Sequence, residues 1–107
     1  MKILDFPVKN RRAICKDGFS LSIQADRLAY SLPRVNDADN YTSVEVGFPS
    51  EHEPLLAPYQ EGEGDMKKSV FGYVPASVIG LILIKHGGMV EGELPAGIPA
   101  YTLPETH

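Results

Sequence analysis

From position 75 the chain reads Pro75-Ala76-Ser77-Val78-Ile79-Gly80-Leu81-Ile82-Leu83-Ile84-Lys85-His86, and Gly87-Gly88 follows at once. Proline suits the first helical position, because its missing N–H would have no intrahelical partner there. Glycine supplies the positive φ that closes a helix C-terminus. Lys85 and His86 fall in the last turn, where cations suit the helix dipole. The sequence therefore predicts one helix over 75–86. Val78, Ile79, Leu81, Ile82, Leu83 and Ile84 occupy nearly its whole circumference, whereas an ordinary surface helix carries an apolar stripe and a polar face. A chain of 107 residues can hardly surround a helix with its own protein. The outer face thus calls for a cover, either the C-terminal arm or a second subunit, and a homodimer through the helix at 75–86 is the expectation.

The rest of the chain reads as strands and turns. Arg12–Cys15 is a short strand, Lys16-Asp17-Gly18 carries a hairpin turn, and Phe19–Ala25 alternates. Phe19, Leu21, Ile23 and Ala25 share one face, with Ser20, Ser22 and Gln24 on the other. Residues 26–40 are irregular, with a short helical turn capped by Asp26 expected at 26–30. Tyr41–Phe48 is a third strand with Val44, Val46 and Phe48 facing the core, and Pro49 ends it. Residues 49–68 read as one long loop, Ser69–Val74 as a fourth strand, and Met89–Leu94 as a final strand or extended arm. The predicted fold class is α+β: a small, mostly antiparallel sheet of four to five strands with the helix packed on it. It forms a single domain over 1–107, in which 95–107 makes an extended C-terminal arm.

Charge and cysteine content narrow the function classes. Residues 1–34 carry a net +4 and residues 35–107 a net −8. Strands from both halves should share one sheet, so folding should mix the two. The overall −4 argues against non-specific nucleic-acid binding. The single cysteine, Cys15, allows no disulfide within one chain and fits a reducing, cytoplasmic setting. The longest apolar run, 78–84, is too short to cross a bilayer, so no membrane partner is expected.

Candidate chemistry is sparse. His52, His86 and His107 lack metal-ligand spacing, so no metal site is expected. His52 and Glu53 read as part of a solvated acidic loop, and His86 as a helix-end cation. Cys15 reads as a small buried strand residue. Gly62 and Gly64 alternate with Glu61, Glu63 and Asp65, which would repel a phosphate. No catalytic set and no cofactor fingerprint is found. The remaining cluster is Arg27, Tyr30, Arg34, Asn36 and Tyr41, with Tyr59 further along. Arginine and tyrosine anchor protein interfaces, and they also clasp phosphates and stack on bases. Gln24 and Glu45 would floor such a site if their strands are neighbours.

The runs YTSVEVGFPS (41–50), EPLL (53–56) and VFGYVPASVI (70–79), with Tyr59 and KHGG (85–88), resemble small accessory proteins of bacteriophages and prophages. That resemblance implies a host-cytosol setting and an anti-defence role, such as the anti-CRISPR kind, exerted by binding. The expected function is a non-enzymatic binding protein whose partner is a host protein. The alternatives are a small-ligand binder, such as a sponge for a nucleotide signal, and a small hydrolase. The hydrolase would need an acid–base pair brought together by folding.

Overall fold

The computed structural model describes residues 9–99. Its regular elements are β1 (Ala13–Cys15), β2 (Ser20–Gln24), β3 (Ser43–Gly47), β4 (Val70–Pro75), α1 (Ala76–Lys85) and β5 (Met89–Glu91). The five strands form one antiparallel sheet in the order β4-β3-β2-β1-β5. The predicted α+β class and the helix-on-sheet arrangement are therefore what the chain adopts. Among the described residues, no helix is long and apolar enough to cross a membrane.

The topology explains the composition of the helix. β4 and β5 lie at opposite edges of the sheet, and α1 is the segment that joins them. Four interstrand spacings amount to about 19 Å. Ten helical residues span about 15 Å. The helix thus travels across the sheet while connecting its edges, and Ile79, Ile82 and Leu83 are fully buried. They join Leu21, Ile23, Val44, Val46, Phe71 and Val74 in one core. Leu81 and Ile84 are 56% and 44% exposed, so the described chain leaves part of the helix uncovered.

Local chemistry fixes the ends of the elements. The β1–β2 hairpin closes through Cys15 N–H to Phe19 O (2.8 Å) and Gly18 N–H to Cys15 O (2.9 Å). Asp17 Oδ1 accepts the Phe19 amide, which fixes the turn from within. Pro75 is the N-cap of α1 at φ −60°, ψ 147°, so the helix starts at Ala76, one position later than the sequence pattern places it. Its extended ψ lets it end β4 as well. Gly87 and Gly88 both have positive φ, as the helix stop requires. Gly92 has φ 104°, and a Cβ there would collide with the Arg12 carbonyl, so β5 leaves the sheet through a position only glycine fits.

Several expectations are corrected. Residues 26–30 form no helix, although Asp26 Oδ1 still caps the Leu28 and Ala29 amides at 2.8 Å each. Phe48 was expected in the core but is half exposed. At φ 51° the backbone has left the β region, so strand alternation no longer sets the direction of its side chain. The stretch 49–68 contains 3-10 helices at Pro54–Tyr59 and Met66–Lys68. The arm beyond residue 95 is tied down as far as described: the Tyr41 amide donates to Ala96 O, and Ile98 is buried. The remainder of that arm, and His107, lie outside the described residues.

Candidate functional site

The aromatic and arginine cluster starts from a register fact. Gln24 pairs with Glu45 across β2 and β3, so these strands are neighbours, as a floor for the site requires. Gln24 is engaged by Asn10, but Glu45 Oε1 accepts the Tyr30 amide at 3.0 Å. The Tyr30 carbonyl in turn accepts the Tyr73 amide at 2.9 Å. Segment 26–32 is thereby laid over the sheet face opposite the helix. Tyr30 covers Gly72, where an added Cβ would lie 3.2 Å from the Tyr30 Cβ.

The β3–β4 register shifts between Val44 and Val46, and Tyr73 sits in that irregular stretch at φ 53°. A bulge re-aims the side chain it carries. Here the Tyr73 ring stacks on Tyr30, with centroids 5.9 Å apart and planes 26° apart. The Arg34 guanidinium lies 5.5 Å from the Tyr30 centroid, a cation–π distance. Leu28, Tyr30, Leu32 and Val35, all within eight residues of chain, are between 42% and 48% exposed, and Tyr73 is 40% exposed.

The structure sorts the sequence-predicted residues. It brings Tyr30 and Arg34 together and adds Tyr73, which the sequence reading passed over because strand alternation alone cannot reveal a bulge. Asn36 Oδ1 accepts the Arg27 amide and shapes the loop. Tyr59 lies in a 3-10 helix and packs partly against the core. Tyr41 is corrected: it is buried, its hydroxyl donates to Val35 O (2.7 Å) and it accepts the Ala38 amide (3.2 Å). It holds the loop from beneath and offers no ring to a partner.

A second cluster was not foreseen. The sequence places Glu53 in a solvated acidic loop, yet it is completely buried. Its Oε2 accepts from the Leu55 amide and from Lys85 Nζ, each at 2.9 Å. Its Oε1 lies 2.7 Å from His86 Nε2, while His86 Nδ1 lies 2.6 Å from Asp17 Oδ2. The His86 ring stacks flat on Phe19 at 4.0 Å. These groups, with Gly18, Glu51 and His52, line an open cleft of about 350 Å³. A lone glutamate in a polar loop gives no sequence signal for this. The one available clue is positional, since the helix stop holds Lys85 and His86 in place and any buried carboxylate near it would find them.

Burial alone would raise the Glu53 pKa. The Leu55 amide, His86 and Lys85 outweigh it and hold the carboxyl below its ordinary value. Asp17 is lowered chiefly by the Phe19 amide, then by His86. Burial, with the Asp17 charge nearby, pushes the Cys15 thiol up to about 11, which suits an inert core residue. The fold therefore supplies the acid–base cluster that a hydrolase would need. However, both ring nitrogens of His86 lie within hydrogen-bond distance of the protein's own carboxylates, Asp17 and Glu53, so each is already engaged. Among the described residues, no group of three or more His, Cys, Asp or Glu side chains could hold a metal ion.

Set against family models, curated proteins and solved structures, the chain matches none.

Proposed function

We propose that the chain is a binding protein whose contact surface is the Tyr30–Tyr73–Arg34 stack together with the exposed Leu28, Leu32 and Val35 of the same chain segment. The observation that carries this reading is the concentration of exposed bulky side chains. Five of the nine large apolar residues exposed among the described residues lie in segment 28–35 or stack on it. A lone exposed leucine is ordinary, but a cluster around an Arg–Tyr anchor has the make-up of an interface centre. Tyr73 strengthens the case. A bulky residue at positive φ costs about 1–2 kcal/mol, and the Tyr73 ring held there is 40% exposed. The anti-defence role stays part of this proposal as one setting in which a small binder acts.

The test uses the double variant Arg34→Ala/Tyr73→Ala, with folding checked by circular dichroism. Wild-type protein should retain a specific protein partner in a pull-down confirmed by calorimetry, and the double variant should lose it. Equal affinity of both proteins for that partner would refute the reading. A nucleotide that raises the wild-type melting temperature would move the assignment to a small-ligand site.

Leu81 and Ile84 support a second reading, self-association through the helix. Together they form an apolar strip on α1 that the described residues leave exposed. Light scattering that returns only the monomer mass at high protein concentration would end it.

A further inference from the structure

We propose that His86 is a proton-operated latch that ties the β1–β2 turn to the buried end of the 51–60 segment. A neutral imidazole has one N–H and one lone pair. Here the two ring nitrogens lie 2.6 Å and 2.7 Å from carboxylate oxygens of Asp17 and Glu53. Carboxylates only accept, so both contacts hold together only when the ring carries both protons. Hydrogen bonds between ionised groups are the short ones, as these are.

Every packed element presents a charge or a titratable group to the ring. The turn supplies Asp17, and Lys16 flanks the helix stop beside Gly87. The loop supplies Glu53, with Glu51 and His52 on the same cleft, and the helix supplies Lys85. Asp17 and Glu53 are both held below the ordinary carboxylate range, so mild acid leaves them charged and the latch closed. Opening comes when the ring loses one proton.

The two arms do not yield equally. Glu53 is fully buried, and to lose its His86 contact would leave Oε1 without that donor where water cannot readily replace it, although Oε2 keeps the Leu55 amide and Lys85. The Asp17 side chain is 49% exposed, so water can replace the ring. Loss of a proton therefore leaves the tautomer that keeps Nε2–H on Glu53 and exposes the Nδ1 lone pair to Asp17. Two hydrogen-bond acceptors then face each other with no proton between them, and the turn at 16–18 loosens from the cleft. The backbone bond from Asp17 N–H to His86 O (3.2 Å) remains, so the movement is local.

The experiment is an NMR pH titration of the whole chain, following the His86 ring nitrogens and the amides of Gly18, Phe19 and Leu55. The Gly18 and Phe19 amides should shift in step with the His86 ring, while Leu55 stays fixed. Asp17→Asn provides the second arm. Its side-chain oxygen can still accept the Phe19 amide, and its NH₂ suits a neutral Nδ1. At a fixed pH within the wild-type transition, the doubly protonated share of the ring should fall severalfold in this variant, with the turn amides no longer following it. The latch is overturned by turn amides that ignore the ring, by Leu55 responding in their place, or by an unchanged doubly protonated share in Asp17→Asn.

Discussion

Glu53→Ala is the substitution that most directly tests how the domain is held together. Three contacts disappear with the carboxylate. The cap on the Leu55 amide contributes about 1 kcal/mol. The bonds from Lys85 and His86 involve charges, which are typically worth about 1.5–3 kcal/mol each. Lys85 is about half exposed, so its share falls to about 1 kcal/mol or less. Removing a carboxylate also removes its desolvation cost, and that offsets part of the loss. A net destabilisation of about 3 kcal/mol follows, at the lower end of what breaking a buried pair costs. For a domain of this size it lowers the melting temperature by about 12 °C or more. The chain has five tyrosines and no tryptophan, so urea unfolding is best followed by circular dichroism with tyrosine fluorescence as a second probe. Glu53→Gln keeps the volume and one acceptor oxygen, and should cost less, about 1–2 kcal/mol. The pH dependence carries the sign. The folded pKa of Glu53 is lowered, so its ionised-state stabilisation is complete above the unfolded carboxylate value. It is lost as pH falls through the folded value, and the gap between wild type and variant should narrow there. A cost for Glu53→Ala below about 1 kcal/mol, or Glu53→Gln as damaging as Glu53→Ala, would refute this account.

Two further substitutions separate loop support from partner contact. Tyr41→Phe removes the hydroxyl that bridges Val35 O and the Ala38 amide, and should lower stability by about 1–2 kcal/mol in urea unfolding. An unchanged midpoint would show that the hydroxyl does not pin the loop. Tyr73→Gly relieves the positive φ, a gain of about 1 kcal/mol set against the lost stacking on Tyr30. Its stability should stay within about 1 kcal/mol of wild type while partner affinity drops, and retained affinity would remove Tyr73 from the surface.

The sheet was legible because its signals are local. Asp17-Gly18 between alternating runs specifies the hairpin, and Val44/Val46 against Ser43/Glu45 specifies two faces of β3. Pro75 and Gly87-Gly88 bracket the helix to within a residue. Phe48 failed because alternation assumes an unbroken β backbone, and a single positive φ cancels it. The 3-10 helices failed because Pro54-Leu55-Leu56-Ala57-Pro58-Tyr59 is too short and too proline-rich to carry a period.

The candidate sites were less legible because each depends on residues far apart in sequence. Tyr30 meets Tyr73 only through the 26–32 crossing and the β4 bulge. Asp17 and Glu53 meet His86 across 69 and 33 positions. The apolar helix links these observations. Because it connects the two edges of the sheet, its C-terminus arrives beside the hairpin turn and the 51–60 segment, and His86 is the residue delivered there. The same crossing makes the helix apolar and leaves the opposite sheet face free for segment 26–32. The structural cluster and the proposed contact surface thus lie on opposite sides of the sheet. Substitutions at Glu53 should therefore act on stability, and those at Tyr73 on binding, with little coupling between them.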